Sequence, residues 1–586
     1  MIQRWQHYQE AQAVLPIHNL AWPFFGAGLA SVGVNGQPVM APLPACRPDE
    51  ILVRVDALGL CASDAKMVRL GLEYPLFFAR DFAAHPAQLG HEAALTVVQV
   101  GEQWRDRYVV GQRLGIQPDV YSAGQRVIFG VNLPGAMTQY VTLDRRVLAG
   151  DDGSYVFPVP AASGYAEVAL LEPWACVDVA YSPTARRLAP KRGGLLWIAG
   201  QPGDTQQYTM SRALDSSLVV LSDAPDAFVA WVRSQPAPVV ERNGASAAEI
   251  VQEFAGDGDS HSNSDSGAGI DDIILLDPPH AAAVAAAVAA LADHGTLNLV
   301  TTQPLDAHVA VDMHKLHYQH LALLGCSGPE VAAAYGVAAN RSELRAGGVT
   351  WIMGAGGAMG RMHLQRALQM PGRPRAILAT NRGQARLDAL RRDYAALAEA
   401  AGVELVTVSP EAEPERLTRE VARLTGGRGC DDIVVVVPDP AAVNAALPHL
   451  AHDGLVVVFA GVPAGAPIHL PLDWIARYGA QFTGTSGSTV ADQLHVLAKM
   501  QQGALAAAQI VAAVGGMNAL QAGLRAVMEQ RYPGKVVIYP HLVELPLLSL
   551  PQLKDALPAV YAQLGPGETW SNTAEQALFE AYWERA

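Results

Sequence analysis

The chain has 586 residues, half of them apolar, 17% charged and 7% aromatic. This excludes global disorder and a coiled coil and, at roughly 150 residues per domain, asks for about four folded units. Its 41 basic against 56 acidic residues leave a net charge of −15, which repels phosphate backbones and anionic bilayers and excludes nucleic acid and membrane as partners.

Five cysteines (Cys46, Cys61, Cys176, Cys326, Cys430) are spread over the chain without a C-x-x-C pair, which fits neither a disulfide framework nor a four-cysteine zinc module. No uninterrupted apolar run reaches membrane-span length, and the expectation is a soluble, unexported, cytoplasmic protein. Residues 1–150 are rich in short apolar runs between Gly and Pro, such as EILVRVDALGL, ALTVVQVG and AMTQYVTL, and predict a β-rich module. Three motifs in and after it each carry a metal-ligating side chain: Cys61 in GLCASD, His91 in LGHE and Glu172 in LLEPWACV. A lone Cys is as readily a small buried hydrophobe and a lone Glu-Pro a solvated turn. Together they supply the three N, S or O ligands of a catalytic zinc, whose fourth position is left for water or substrate.

The chain then repeats itself. Val177–Gly203 matches Val331–Gly357, pairing Tyr181 with Tyr335, Arg187 with Arg341 and Trp197 with Trp351. DDIILLDP from Asp271, HGTLNLV from His294 and GCSG from Gly325 match DDIVVVVPDP from Asp431, DGLVVVF from Asp453 and GTSG from Gly484. Each copy predicts strand, glycine-containing turn, helix and further alternation, the grammar of a doubly wound parallel sheet.

In the first copy the turn reads Gly200-Gln201-Pro202-Gly203-Asp204. Pro202 removes an N–H and Asp204 repels phosphate, which predicts a degenerate copy. Against this, Asp223 ends SLVVLSD where a ribose-binding acid would stand. The run AGDGDSHSNSDSGAG (255–269) reads as a mobile surface loop between the third and fourth strands. His314, His317 and His320 read as a partly exposed polar stripe rather than a metal site. In the second copy VTWIM, GAGGAMG, RMHLQRALQ and AILAT follow in order, so Gly354, Gly356, Gly357 and Gly360 stand where a pyrophosphate meets a helix N-terminus. AILAT ends at Thr380, and Asn381 and Arg382 follow with no acid to hold a ribose 2′-hydroxyl; NADP(H) is slightly favoured over NAD(H). The C-terminal residues predict two helices around GPGETWSN, with Ser571 or Asn572 as the cap.

These motifs resemble the zinc-dependent medium-chain alcohol dehydrogenase superfamily. VRVDALGLCASDAKMVRLG, LGHEAALTVVQVG, YVVGQRLGIQ and GAMTQYVTL are similar to its catalytic domain. EPWACV, GAGGAMG, LTGGRGCDDIVVVVP, GTSG and GKVVI most resemble its sorbose-1-phosphate reductase group. The resemblance implies an α/β protein: a β-rich GroES-like catalytic domain at 1–185, completed by about 490–545, and two tandem Rossmann-like doubly wound parallel-sheet domains. These are a degenerate one at 186–335 and a dinucleotide-binding one at 336–489, followed by a helical extension at 546–586.

It further implies one catalytic zinc on Cys61, His91 and Glu172, with Glu92 as outer or alternate ligand, Asp64 orienting the metal site and Ser63 as the first proton-relay hydroxyl. Gly461, Gly484, Thr485 and Ser486 are expected to contact the nicotinamide half. The implied reaction moves a hydride between a nicotinamide cofactor and a secondary alcohol or ketone of a polyol, sugar or sugar phosphate. Lys66, Arg69 and Arg80 are candidate phosphate anchors, and a homo-oligomer is expected. The sequence departs from many members in lacking a four-cysteine zinc lobe and in carrying an extra dinucleotide-fold copy. Two other readings stand beside this one: a nucleotide-sensing or scaffold protein with a vestigial zinc site, and a zinc-independent reductase of the same superfamily.

Overall fold

The computed structural model describes residues 3–10, 15–77, 80–255 and 269–583; the low-complexity run at 255–269, apart from its two end residues, lies outside them. The chain forms two compact units, one holding the residues up to Cys176 and from Gly487 onward, the other most of what lies between.

The first unit is built on an eight-stranded sheet in the order Val156–Pro158, Arg113–Ile116, Glu92–Val100, Ile51–Leu60, Lys535–Tyr539, Val511–Gly516 and Leu548–Ser549, with Tyr140–Leu143 also paired to Ile51–Leu60. Ile51–Leu60 is buried along its whole length. Its alternate residues Ile51, Val53 and Val55 enter the main core, while Arg54 and Asp56 stay buried as an ion pair at 2.7 Å. The Tyr8 hydroxyl donates to Asp56 at 2.7 Å and the Tyr8 ring lies 3.8 Å from the Arg54 guanidinium.

Tyr8 belongs to the N-terminal helix Gln3–Glu10, whose first backbone N–H groups are met by Glu580 of the C-terminal helix Asn572–Tyr582. Glu575 of the same helix accepts from the Tyr165 and Ala166 N–H groups at 2.6 and 2.8 Å, where Tyr165–Ala169 begins. An acid at a helix N-terminus satisfies orphan donors and complements the dipole. The C-terminal residues therefore belong to the first unit rather than forming a separate extension. Ser571 is the N-cap of their last helix, accepting from the Ala574 N–H.

The second unit holds two six-stranded parallel sheets of identical order: Val239–Glu241, Leu218–Ser222, Leu195–Ala199, Ile270–Leu276, Leu291–Val300, Ala322–Cys326; and Glu404–Val408, Ala376–Thr380, Val349–Met353, Cys430–Val435, Leu450–Val458, Gln481–Gly484. The repeated residues do repeated work. Trp197 Nε1 donates to Ser222 and Trp351 Nε1 to Thr380, both at 2.9 Å; Arg187 pairs with Asp272 and Arg341 with Asp432.

Val309–Asp312 of the first copy pairs antiparallel with Pro467–Leu470 of the second, the edge strands Ala322–Cys326 and Gln481–Gly484 approach each other, and one apolar core runs through both copies. The copies differ where the sequence predicts alike. Between Val349–Met353 and Ala376–Thr380 lies the helix Ala358–Gln369, whereas the first copy crosses from Leu195–Ala199 to Leu218–Ser222 without one. The intervening text, QPGDTQQYTMSRALDSS, has too few apolar residues to bury a helical face.

Candidate functional site

In the first unit, Ile51–Leu60 and Glu92–Val100 run antiparallel with Gly59 opposite Glu92, which brings the end of one strand to the start of the other. Cys61 leaves the first strand as N-cap of the helix Ala62–Leu70. Gly90, at φ 94°, turns the chain into His91. The Cys61 sulfur, a His91 ring nitrogen and a Glu92 carboxylate oxygen lie within 4.8 Å of one another.

Asp64 holds this cluster. It accepts the Cys61 N–H at 3.0 Å, and its other oxygen lies 3.3 Å from His91 Nδ1. Engaging Nδ1 leaves Nε2 as the ligand nitrogen; Ser63 Oγ lies 3.2 Å from it. Burial disfavours the His91 imidazolium, but Asp64 and Cys61 outweigh it and hold its pKa well above the usual histidine value.

One Glu92 oxygen pairs with the buried Lys535 ammonium, and the other is buried with no hydrogen-bond partner among the described residues. Burial opposes the Lys535 charge, yet Glu92 and Cys61 raise its pKa. A side chain at Gly59 would collide with the Glu92 carboxylate. Sulfur, imidazole nitrogen and carboxylate oxygen within 4.8 Å of one another form a donor set that fits zinc.

Glu172, expected as the third ligand, is not in this cluster; Glu92, expected as an outer or alternate ligand, is. Glu172 sits in the first turn of Leu171–Val179, where the Cys176 thiol donates to it at 3.3 Å and draws the carboxylate along its own helix. Burial raises the Glu172 pKa, while His91 lowers it and Glu92 raises it, so it shares the buried charge group. Of the candidate phosphate anchors, Arg80 is spent on the His85, Val131 and Pro86 carbonyls, and Lys66 and Arg69 are exposed.

In the second unit, Gly354 at φ 84° follows Val349–Met353, and Gly357 is the N-cap of Ala358–Gln369. A Cβ at Gly360 would strike the Gly354 carbonyl, and one at Gly356 would lie 2.8 Å from Asn381 Cγ and Arg386 Cβ. The four glycines thus supply a turn, a bare approach and close helix packing. Arg382 leans toward Glu411 at 3.9 Å.

Two arginines absent from the sequence expectation flank the turn. Arg386 Nη1 is 3.9 Å from where a Gly357 Cβ would be; burial and then Arg361 lower its pKa. Arg361 pairs with Asp393 at 2.7 Å, leaving Nε and Nη2 buried without partners among the described residues. The legible signal was Arg361 itself, directly after GAGGAMG.

The first copy has no equivalent turn-and-helix. Asp204 accepts from Gln206 N–H and the Tyr208 hydroxyl, and Asp223 accepts from Gly244 N–H at 2.8 Å. The three histidines do not converge: His314 Nδ1 lies 2.8 Å from the Val462 carbonyl, His317 Nδ1 3.4 Å from that of Val458, and His320 stacks on His294. Gly461 and Gly484 do not present bare faces to open space. Their missing side chains are replaced by the Tyr318 hydroxyl and the Leu316 carbonyl of the first copy. Thr485 is buried with Oγ1 unpartnered among the described residues, and Ser486 is half-buried.

The alcohol dehydrogenase GroES-like domain family matches residues 47–150. The chain is 31% identical over 178 residues to L-sorbose 1-phosphate reductase of Klebsiella pneumoniae, covering 30% of this chain and 42% of that one. It is 27% identical over 198 residues to sorbitol dehydrogenase of Bacillus subtilis, covering 31% and 51%. It thus spans about half the length of these two relatives. Among solved structures, 2R,3R-butanediol dehydrogenase from Bacillus subtilis matches at TM-score 0.49 and 15% identity, over 89% of this chain and 99% of that one.

Proposed function

We propose that the chain is a zinc-dependent oxidoreductase of the medium-chain alcohol dehydrogenase superfamily, a reading supported by the GroES-like domain match over residues 47–150 and by its likeness to the sorbose 1-phosphate reductase and sorbitol dehydrogenase relatives. Its reaction is hydride transfer between a nicotinamide dinucleotide and a secondary alcohol or ketone of a polyol, sugar or sugar phosphate. The observation that carries this reading is the convergence of Cys61, His91 and Glu92 within 4.8 Å, which also argues against a zinc-independent reductase.

Cys61 and His91 would hold one zinc together with Glu92, Glu172 or both. When bound, zinc supplies a Lewis acid for the substrate oxygen and the nicotinamide supplies the hydride acceptor or donor. The chain's residues do the rest. Asp64 fixes the His91 tautomer, and Ser63 Oγ moves the substrate proton away from the buried site. Lys535 competes with the metal for Glu92, so the pair sets how much negative charge the donor set presents.

The cofactor reading rests on Gly354, Gly356, Gly357 and Gly360 in the second copy. Asn381 and the Arg361–Arg386 pair favour a 2′-phosphate, hence NADP(H) over NAD(H). Titration of the purified protein is expected to give one NADPH per chain; two would show a working first copy. Arg386→Ala is expected to weaken NADPH roughly ten- to a hundredfold and NADH much less, the size of a charge-assisted hydrogen bond. Equal losses for both nucleotides would refute the assignment.

All five cysteines are free, which suits a reducing cytoplasm. Among the described residues no helix is long and apolar enough to cross a membrane. One edge strand of each Rossmann-like sheet, Ala322–Cys326 and Gln481–Gly484, meets the other within one chain, so the expected homo-oligomer joins through another surface.

A further inference from the structure

We propose that the first Rossmann-like copy serves as a built-in partner: its helix Met313–Tyr318 walls the nicotinamide end of the second copy's cofactor site through Tyr318, held by His314 and His317. This rests on the reading of the second copy as the dinucleotide site.

A doubly wound sheet binds a dinucleotide beyond the carboxyl ends of its strands, one mononucleotide to each half. The pyrophosphate turn follows Val349–Met353, so the adenosine half falls to Ala376–Thr380 and Glu404–Val408. The nicotinamide half then falls to Cys430–Val435, Leu450–Val458 and Gln481–Gly484. At the ends of those last two strands the first copy is already seated. The Tyr318 hydroxyl occupies the place of a Gly461 side chain, and the Leu316 carbonyl, with His317 Cα 3.1 Å away, that of Gly484. His317 Nδ1 approaches the Val458 carbonyl at 3.4 Å and His314 Nδ1 the Val462 carbonyl at 2.8 Å, so two imidazoles bracket residues 458–462. Both rings pack on Tyr318, at 4.7 and 4.5 Å.

Tyr318 stays 38% exposed, and its hydroxyl makes no hydrogen bond among the described residues. It therefore offers a ring face and a polar tip beside the strand ends, a pairing suited to a flat carboxamide-bearing ring.

The arrangement is reciprocal in shape. A Cβ placed on Gly325 of the first copy would lie 3.3 Å from Ala476 of the helix Asp473–Tyr478. Only one of the two walls has a site to serve, because the first copy lacks the helix that would follow its own turn. A duplicated domain that has lost its ligand turn but keeps this contact is accounted for by the wall it lends.

The test is differential binding to the full chain. NADPH is compared with 2′-phospho-ADP-ribose, and NADH with ADP-ribose; the second ligand of each pair lacks the nicotinamide ring. Tyr318→Ala is expected to weaken NADPH or NADH on the order of tenfold and to leave the ring-less ligand unchanged, with Tyr318→Phe losing less. Equal weakening of both ligands would make Tyr318 a packing residue of the second copy and overturn the proposal, as would no change in either. Failure of the unaltered protein to bind any of the four would overturn the dinucleotide reading, and the proposal with it.

Discussion

Cys61→Ser and His91→Ala are each expected to lower turnover by on the order of a thousandfold or more, the loss of several kcal/mol of Lewis-acid stabilisation at tenfold per 1.4 kcal/mol. Cys61 follows the strand Ile51–Leu60 and His91 precedes Glu92–Val100, and neither is part of the apolar core those strands build. Cys61 is only partly buried, and its cap role is shared with Asp64, which takes the Cys61 backbone N–H. Far-ultraviolet dichroism and the thermal transition are therefore expected to stay near those of the parent protein, and nucleotide binding in the other unit to persist. An active Cys61→Ser protein free of metal would refute the zinc assignment. A parent protein that binds nucleotide but reduces no ketone in a broad sugar and polyol panel would favour the sensor or scaffold reading.

Asp56→Leu is expected to cost the first unit about 3–5 kcal/mol, the penalty for leaving a buried charge without its partner. Asp56 is fully buried and accepts from Arg54 Nε, Tyr8 Oη and Thr96 Oγ1 at 2.7, 2.7 and 2.5 Å. Its loss strands the Arg54 guanidinium, which is 2% exposed, and frees the N-terminal helix from the sheet it covers. The paired variant Arg54→Met with Asp56→Leu is expected to recover much of the loss, since replacing a whole buried ion pair by apolar groups is often near neutral. Urea unfolding followed by tryptophan fluorescence reads both; a single variant within 1 kcal/mol of the parent would show that the pair contributes little.

The parts of this molecule legible in sequence are those written in short range. Apolar runs such as VTWIM and AILAT predicted strands, and the Trp197/Trp351 and Arg187/Arg341 repeats announced two copies, because the same hydrogen bonds recur in each. The missing helix after Ala199 was half legible: Pro202 marked the damaged turn, but the repeat itself suggested that a helix followed.

Long-range pairings were not legible. Lys535 meets Glu92 across 443 residues of chain, and a lone Lys opening the apolar KVVIY was the only trace of a buried ion pair. The exchange of Glu172 for Glu92 in the cluster turns on the Cys176 thiol one helical turn away, a rotamer matter that spacing does not encode. The resemblance puts Gly461 and Gly484 at the nicotinamide half, and the places of their missing side chains are taken by the Tyr318 hydroxyl and Leu316 carbonyl of the first copy, a contact that no local motif announces. The docking of the N-terminal helix through Tyr8 depends on Arg54 and Asp56 facing away from the main core, which period-two alternation in ILVRVDALGL hints at.

The most direct test is the zinc content of the protein purified without added metal, measured by elemental analysis beside the Cys61→Ser, His91→Ala double variant. One zinc per chain in the parent and less than about a tenth of that in the variant is the predicted result. A parent protein that reduces ketones with NADPH while carrying no zinc, or a double variant that keeps its metal, would contradict it.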